Sequence, residues 1–401
     1  MSAQPYPPNP IKKGSNSPIF FSLNVRNTFA LIVVPLGACL TIPWVPANRK
    51  TWLFGIFYAY LRSFAIVTGY HRLWAHKTYT ASTALKLIFA LLGAGAGQDH
   101  IKKWARDHRA HHRYVDTDQD PYNVKQGFFY AHMGWILFEN NETSNTGYVD
   151  ISDLKSDRIV QWQQKNFVLL FIIMGYLVPA IICGLAYGDF TGGLIYAGCI
   201  ATALQQQLTF CVNSVAHWIG DQPYTDAKSA RQIPWATAIL LNGEGYHNYH
   251  HEFPTDYRTG IQWYDIDPGK WLISLYSFIG LASNLKSIPQ NEINKSVLQR
   301  KLQLLEKEGE KVNWGIPLDE LPVWKWEDYE QEARTGRNLI VIRGAVHDVS
   351  AFVNEHPGGP AMIAGAIGKD ATKLFEGEIY RHSNAASNLL DQMRIALIKE
   401  S

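Results

Sequence analysis

Nine of the 14 histidines fall in three short patterns and one isolated position. The chain reads HRLWAH, HRAHH and HNYHH, and a further histidine follows Asn213 by four residues. On a helix, positions i, i+3 and i+4 share one face, so each HxxHH pattern can aim three imidazoles at one point. Imidazole suits Zn, Cu, Fe and Ni. The nine candidate ligands are His71, His76, His108, His111, His112, His217, His247, His250 and His251.

Nine ligands exceed what one tetrahedral metal can use, so the set predicts two metal ions with open positions for a reactant. No HExxH is present and the histidine patterns contain no carboxylate, which disfavours hydrolytic zinc chemistry. His71 and His76 are five residues apart and do not share an α-helical face. We expect this pair to straddle a helix end. His100, His132 and His347 belong to no such pattern, and we expect structural or surface roles for them.

Charge-free runs long enough to cross a bilayer must position these ligands. Residues 28–48 carry no charge, 51–70 are interrupted only by Arg62, and two further runs cover 166–188 and 190–220. They predict two helical hairpins, with spans at about 28–48, 51–70, 166–188 and 192–216. The apolar segments 81–98 and 271–285 are shorter or contain a charge, and we expect peripheral, interfacial or buried helices there.

Two hairpins place the N-terminus, the 71–165 loop and everything after 221 on one side of the membrane. Most Lys and Arg residues fall in these segments, so the positive-inside rule makes that side cytosolic. Arg62 is costly in lipid. Snorkelling or pairing with a neighbouring helix is the favoured interpretation, and a place in a tunnel wall is the alternative.

Composition agrees with a membrane protein. Only 18% of the 401 residues are charged and 13% are aromatic, whereas about a quarter is charged in soluble domains. A net charge of +2 excludes a polybasic nucleic-acid binder as the default, so we expect no nucleic-acid partner. The four cysteines lie in apolar stretches, which excludes a disulfide scaffold.

After Pro289 the composition shifts to that of a soluble domain. Residues 291–311 alternate charge with leucine and predict a helical linker. Residues 339–342 and 346–349 predict short strands joined by a turn. His356 opens an HPGG turn, and His382 follows 26 residues later. Two such histidines can clamp a haem from opposite faces, which leaves the iron only single-electron transfer.

The motifs HRLWAH, WARDHRAHHRY, DTDQDPYN, NSVAHW and GEGYHNYHHEFPTDYR resemble the integral-membrane acyl-CoA desaturases, the stearoyl-CoA (Δ9) branch in its fungal form, over about 51–275. VHDVSAFVNEHPGG with the later YRHS resembles a cytochrome b5 domain over about 320–400. The implied fold is an all-α integral membrane domain, with four transmembrane helices and a cytosolic helical cap holding a di-iron centre, followed by a small α+β cytochrome b5-like domain. The implied domains are a cytosolic tail at 1–27, a desaturase domain at 28–288, a helical linker at 289–316 and a haem-binding domain at 317–401.

The resemblance also implies site residues. The nine histidines would bind two irons, with Asn213 holding one through water and no catalytic residue beyond the metal centre. Gln98, Trp104 and Thr209 would kink the acyl chain, and Arg106 and Asp107 would contact coenzyme A. His356 and His382 would be the axial ligands of haem b.

Three positions depart from the fungal pattern. Gln98-Asp99-His100 replaces the usual Glu-Gly-Ser before WARDH, and Lys103 replaces a common aromatic residue. A basic stretch that often holds coenzyme A phosphates is replaced by Glu139-Asn140-Asn141-Glu142. These departures bear on substrate chain length, double-bond position and nucleotide binding, and they leave the metal site intact.

The resemblance implies an oxygen-dependent stearoyl-CoA 9-desaturase of the endoplasmic reticulum membrane, multi-pass and with both termini cytosolic. It would act on C16/C18 acyl-CoA with O2, and a separate NADH-cytochrome b5 reductase carrying FAD would supply electrons through the haem. A di-iron fatty-acid hydroxylase and a desaturase of other regiochemistry are alternatives, and a non-catalytic membrane electron carrier is a third. Front-end desaturases carry an N-terminal haem domain and a Gln opening the third histidine box, whereas this box opens with His247.

Overall fold

The computed structural model describes residues 21–46, 48–140, 146–233, 240–377 and 380–399. Most of the expected cytosolic tail, together with Asn141 and Glu142 of the acidic stretch, lies outside the described residues. The chain divides into two compact units, Met1–Lys301 and Leu302–Ser401. The first is predominantly helical and the second combines short helices with a small sheet.

In the described ranges, three helices are long and apolar enough to cross a membrane: Val25–Trp44, Arg49–Ala75 and Arg158–Tyr187. The fourth predicted span corresponds to an unbroken helical run formed by Phe190–Gly192, Gly193–Ile200 and Ala201–Asn213. It is not among the three, because consecutive glutamines at 205–207 lower the mean hydropathy of its second half. The fourth span therefore stays a prediction.

The turns at one end of these helices contact each other. Gly188 ends the helix Arg158–Tyr187 in the left-handed region with φ +67°, and Asp189 caps the run that follows. The Thr51 hydroxyl, at the start of Arg49–Ala75, donates to the Asp189 carboxylate at 2.6 Å. A left-handed residue at this position suits glycine, which has no Cβ to clash. The turns before Arg49 and before Phe190 thus lie at the same end of the helices, as two hairpins require.

Arg62 is fully buried between helices. It donates to the Gly95 carbonyl oxygen at 3.0 Å and to the Thr202 hydroxyl at 2.7 Å, and its guanidinium lies 4.9 Å from the Tyr58 ring centroid. It does not line the cavity described below. Of the two interpretations, pairing with neighbouring helices agrees with these contacts.

The helix Arg49–Ala75 widens to π geometry over Ala65–Ala75. In a π turn the backbone hydrogen bond joins residues five apart, and the His76 amide donates to the His71 carbonyl oxygen at 3.0 Å. The wider turn brings two residues five apart over each other, and the two rings lie 4.8 Å apart. His76 is the first residue after this segment, so the pair does straddle a helix end.

Shorter elements complete the first unit. The two apolar segments set aside as peripheral form the helices Thr83–Gly95 and Pro268–Phe278. The remaining helices are Ser152–Ser156, Ile101–Tyr114, Val124–Gln126, Tyr130–Gly134, Trp135–Leu137, Val215–Trp218 and His247–Glu252, and the strands Phe21–Leu23 and Thr80–Ala81 pair antiparallel with Phe138–Asn140 and Ala282–Ser283. Helix Gln290–Gly309 fills most of the predicted linker.

The second unit is built on a four-stranded sheet, in the order Val323–Trp324, Arg394–Ile398, Ala345–Asp348, Leu339–Ile342. The first pair is parallel and the others are antiparallel. The predicted hairpin is present, and its turn residues Arg343 and Gly344 both have positive φ, as a two-residue type I′ turn requires. The helices are Trp326–Arg334, Pro360–Ala364, Thr372–Glu376 and Asn384–Asp391, with short turns at Leu318–Glu320 and Val353–Glu355.

The side chains of the edge strand Leu339–Ile342 alternate between two small apolar cores. Ile340 and Ile342 pack into one apolar cluster, and Leu339 and Val341 pack into the other. Successive strand residues point to opposite faces of a sheet, so both faces of this strand are covered. The first of these clusters also includes Phe375, next to His382.

Candidate metal centre

The nine predicted ligands converge into two buried groups that cut across the sequence motifs. Within each group, one ligand atom per residue lies within 4.8 Å of all the others. The five-histidine group consists of His71, His76, His108, His112 and His250, and the four-histidine group consists of His111, His217, His247 and His251. Both HxxHH patterns are therefore divided between the two groups.

The rings approach each other through their Nε2 atoms. In the five-histidine group, Nε2–Nε2 distances are 2.8 Å for His76–His108, 3.0 Å for His71–His250 and 2.9 Å for His112–His250. In the four-histidine group they are 2.9 Å for His217–His247, 3.0 Å for His247–His251 and 3.3 Å for His111–His251. Ligands on a metal with bonds of about 2.0–2.1 Å lie a comparable distance apart.

Three rings have an acceptor on the other nitrogen, Nδ1. His111 Nδ1 lies 2.8 Å from Asp120 Oδ1, and His71 Nδ1 lies 3.4 Å from Glu244 Oε1. His217 Nδ1 lies 2.7 Å from Ser229 Oγ. An acceptor at Nδ1 places the ring proton there and leaves the Nε2 lone pair facing the centre of the group.

This proton arrangement is the test of whether the residues fit a metal. Nε2 lone pairs at about hydrogen-bond distance repel one another unless a proton or a cation lies between them. Burial, and then the neighbouring imidazoles, lower the pKa of His108, His112 and His251 well below the usual value near 6.5. Neutral rings with converging lone pairs are the donor set that a divalent transition metal requires, so the residues fit.

Glu244 stays ionised in this buried position. Burial opposes its charge, but His71 and Arg72 together lower its pKa to about 2. Arg72 Nη2 donates to Glu244 Oε1 at 3.0 Å and to Asp267 Oδ1 at 2.8 Å. Arg72 therefore links the carboxylate beside His71 to a second buried carboxylate and fixes its position.

A small cavity opens beside the two groups. Its wall includes His71 and His108 from the five-histidine group, His247 from the four-histidine group, and Asn213. Most of the remaining lining is apolar: Ile66, Val67, Trp104, Leu208, Val212, Leu240 and Leu241. A cavity with this mostly apolar wall suits an apolar ligand.

The three residues expected to shape an acyl chain are joined by hydrogen bonds. Trp104 Nε1 donates to Gln98 Oε1 at 3.3 Å, and Gln98 Nε2 donates to Thr209 Oγ1 at 2.7 Å. The Trp104 ring stacks on His108 with centroids 5.0 Å apart. One continuous chain of contacts thus joins this side of the cavity to a member of the five-histidine group.

Arg106 and Asp107, the expected coenzyme A contacts, pair with each other at 2.5 Å. Lys103, one of the departures from the fungal pattern, donates to the other oxygen of Asp107 at 3.0 Å. The carboxylate is buried, whereas the Arg106 side chain is 42% exposed and free to meet a ligand from solvent.

The second unit places the rings of His356 and His382 opposite each other, at an interplanar angle of 41°. Their ring centroids are 6.3 Å apart, which leaves room for one metal between two nitrogen bonds of about 2 Å each. His356 Nδ1 lies 3.3 Å from the Gly359 carbonyl oxygen and His382 Nδ1 lies 2.9 Å from the Phe375 carbonyl oxygen. Both Nε2 atoms are therefore the available ligands, and the pair fits an axial haem site.

The two glycines of the HPGG turn disfavour other residues for different reasons. A Cβ on Gly358 would meet His356 Cε1 at 2.9 Å, and Gly359 has φ +89°, which disfavours any other residue. On the opposite side, Phe375 stacks on the His382 ring at 4.3 Å. Gly358 thus leaves space for the His356 ring, and Gly359 supplies a positive φ.

The three histidines outside the patterns have structural partners. His100 caps helix Ile101–Tyr114 by accepting from the Lys103 amide. His132 bridges Ser214 and Gln207, and His347 is buried in the second unit.

Sequence reasoning did not single out the residues that orient the ligands. Asp120 lies in DTDQDPYN and Glu244 in GEGYHNYHH, so both stood inside motifs already quoted for the resemblance. Asp116 and Ser229 are 113 residues apart and carried no common signal. A search for carboxylates that accept from the second nitrogen of a metal-binding histidine could have found Asp120 and Glu244.

Comparison with known proteins agrees with both units. Residues 50–274 match the family model described as fatty acid desaturase, and residues 325–399 match the cytochrome b5-like heme/steroid binding domain. The chain is 45% identical over 357 residues to acyl-CoA desaturase 1 of Saccharomyces cerevisiae, covering 89% of this chain and 70% of that protein.

Two further relatives carry similar names. The probable acyl-CoA desaturase of Schizosaccharomyces pombe is 45% identical over 377 residues, covering 94% of this chain and 78% of its own length. The Delta(9)-fatty-acid desaturase fat-5 of Caenorhabditis elegans is 37% identical over 238 residues, covering 59% of this chain and 71% of its own length.

Proposed function

Since the chain belongs to the fatty acid desaturase family, we propose that it is an acyl-CoA desaturase that introduces a cis double bond at Δ9 of saturated C16 and C18 acyl-CoA. This places it in unsaturated fatty acid biosynthesis. The observation that carries the proposal is the apolar cavity whose wall includes members of both histidine groups and Asn213. The name of the Caenorhabditis elegans relative, Delta(9)-fatty-acid desaturase fat-5, supports the Δ9 assignment.

The two histidine groups would each hold one iron, with Asn213 acting on one of them through water. Iron supplies the oxygen chemistry needed to remove hydrogen from an unactivated methylene, which no side chain can do. The protein contributes the donor set and excludes water, since His111, His247 and His251 are almost completely buried.

Trp104, Gln98 and Thr209 would position the acyl chain. Their hydrogen bonds fix one side of the cavity relative to His108, so the bend of the chain is set by side chains that cannot move independently. Positioning of this kind decides which carbons react. Arg106 would meet coenzyme A, with Asp107 and Lys103 holding its orientation.

The second unit would deliver the electrons. His356 and His382 would hold a haem b, which would supply single-electron transfer. A separate NADH-cytochrome b5 reductase that carries FAD would be its partner. Residues 317–401 hold 13 acidic and 9 basic residues, and this acidic balance would favour docking of a reductase with a basic surface.

We assign the protein to the endoplasmic reticulum membrane as a multi-pass protein with both termini cytosolic and four spans. The contact between Thr51 and Asp189 supports two hairpins, because it joins the two turns at one end of the helices. The domain boundaries proposed are a tail at 1–27, a desaturase domain at 28–288, a helical linker at 289–316 and a haem domain at 317–401.

The test is product analysis. The full chain is expressed in a yeast that lacks its own Δ9 desaturase, and mass spectrometry locates double bonds in the total fatty acids. We expect new 9-monoenes of C16 and C18 chains, and none with an empty vector. Hydroxylated acids would replace the proposal by a hydroxylase, and unchanged fatty acids from a protein loaded with iron and haem would contradict it.

A further inference from the structure

A short turn, Asp116–Asp120, follows helix Ile101–Tyr114, which carries the HRAHH pattern. Asp116 adopts a left-handed backbone conformation with φ +64°, which is uncommon for a residue other than glycine. Its amide donates to Asp120 Oδ2 at 3.1 Å, while Asp120 Oδ1 accepts from His111 Nδ1 at 2.8 Å. Strained backbone of this kind persists where the surrounding structure holds it, and such places cluster at functional sites.

The other arm of the turn reaches a second ligand through a hydroxyl. Asp116 Oδ1 accepts from Ser229 Oγ at 2.5 Å, and Asp116 Oδ2 accepts from the Ser229 amide at 2.7 Å. The Ser229 proton points at the carboxylate, so its oxygen accepts from His217 Nδ1 at 2.7 Å. The Asp116 carboxylate thereby fixes the tautomer and ring angle of His217 through the hydroxyl of Ser229.

Both ligands held by this turn belong to the four-histidine group. In the part of the chain that the structure describes, the Nδ1 atoms of the other two members, His247 and His251, are buried and have no hydrogen-bond partner. The five-histidine group has a different carboxylate, because Glu244 accepts from His71 and is held by Arg72. The two groups therefore have separate orienting residues.

We propose that the turn Asp116–Asp120 is a positioning device dedicated to the four-histidine metal site, with Ser229 as the hydroxyl relay between Asp116 and His217. The inference rests on the proposed function, because it presupposes that each histidine group holds one iron. Removing a hydrogen-bond partner of a metal-binding histidine costs about 10–100-fold in metal affinity. The loss falls on one of the two irons.

The experiment measures non-haem iron per haem in the purified full chain, before and after challenge with a ferrous chelator. Haem bound by the second unit serves as an internal standard for protein amount. Ser229→Ala removes the relay, and Ser229→Thr retains a hydroxyl. Ser296→Ala is a matched loss of a buried serine in the same unit that belongs to neither group. Asp116→Asn tolerates the left-handed backbone but loses the carboxylate.

We expect about two non-haem irons per haem in the unmodified chain and in the Ser229→Thr and Ser296→Ala variants. Ser229→Ala should retain about one after the chelator challenge, since its weakened site is about 10–100-fold looser. If Ser229→Ala cannot be purified, Asp116→Asn takes its place, and we expect it too to retain about one non-haem iron per haem after the chelator challenge. Retention of both irons with unchanged chelator kinetics overturns the inference, and so does parallel loss of both. An unmodified chain without non-haem iron would refute the proposed function instead.

Discussion

The histidine rings of the metal centre in the first unit and those of the haem site in the second unit are held in place by different kinds of hydrogen-bond partner. In the first unit the rings are enclosed, and among the described residues side chains hold the Nδ1 atoms of His71, His111 and His217: Glu244, Asp120 and Ser229. In the second unit His356 and His382 are partly exposed, and main-chain carbonyl oxygens only three and seven residues away hold them. Glu244, by contrast, lies far along the chain from His71.

The difference teaches which part of each site is local. A site built from a turn and its own carbonyl groups can be specified within a short stretch, as HPGG specifies His356. A site built from side chains on separate helices depends on the packing of the whole unit. Burial also matches the proposed roles, since oxygen chemistry needs water excluded whereas electron transfer needs an accessible edge.

Loss of one enclosed ligand should have the largest effect. His250→Ala removes a ring that contacts His71 and His112. We expect desaturation to fall by about 100-fold or more and non-haem iron to drop, since removing a ligand costs more than the 10–100-fold loss for its partners. The haem spectrum should stay unchanged, and its loss would mean that the two sites are not independent. Product analysis with iron and haem assays measures both.

Loss of one exposed ligand should give the reciprocal result. His382→Ala leaves the haem one axial ligand, so the haem spectrum and NADH-driven turnover should disappear while non-haem iron stays the same. Turnover measured with NADH and reductase, beside iron content, checks this. Surviving NADH-driven turnover would show that the fused domain is not the obligatory donor.

Acid should weaken the second unit through His347. Burial lowers its pKa to about 4, with Asp391 and Arg394 as the nearby charges. In the unfolded chain, His347 binds a proton near pH 6.5. The stability that its neutral form contributes to the folded unit is therefore complete above that pH and is lost as pH falls towards 4. The loss is about 2 kcal/mol by pH 5. Urea unfolding followed by haem absorbance at pH 7 and pH 5 measures it.

The control for this prediction is His347→Leu, which removes the titrating ring while keeping an apolar side chain. The difference in unfolding free energy between pH 7 and pH 5 should be smaller in the variant by about 2 kcal/mol. Equal pH dependence in both proteins would assign the acid sensitivity to other groups.

Thr209→Val should affect the position of reaction more than the metal. The substitution keeps the shape but removes the hydroxyl that accepts from Gln98, leaving a buried donor unpaired at a cost of about 1–3 kcal/mol. We expect a several-fold lower rate and double bonds at positions other than Δ9, with iron content unchanged. Mass spectrometry of the products measures the distribution. A single unaltered Δ9 product would remove Thr209 from the positioning role.

The smallest effect is expected at the HPGG turn. Gly358→Ala places a Cβ at 2.9 Å from the His356 ring, so the ring must shift by a few tenths of an ångström. We expect haem affinity to fall by roughly tenfold, corresponding to about 1.4 kcal/mol, with the haem still bound through both histidines. Haem titration compares the variant with Gly365→Ala, where a Cβ meets no atom closer than 3.6 Å.

Much of the architecture followed from local pattern. Charge-free runs predicted the three long apolar helices, and alternation with a turn predicted the hairpin of Leu339–Ile342 and Ala345–Asp348. The resemblance of the motifs to desaturases predicted the family, and the matches to known proteins confirm it. The domain boundaries, the fourth span and the roles of the site residues stay predictions.

The sequence by itself predicted which rings are candidate ligands and where the candidate haem histidines lie, because residue type and short spacing are local properties. Only the tertiary structure decided how the nine histidines divide, and that His108 and His112 part from His111. It also decided that a π segment aligns His71 with His76, and that Asp116 reaches Ser229. Such pairings depend on how separate helices pack and on a hydrogen-bond register, which no spacing along one chain segment specifies.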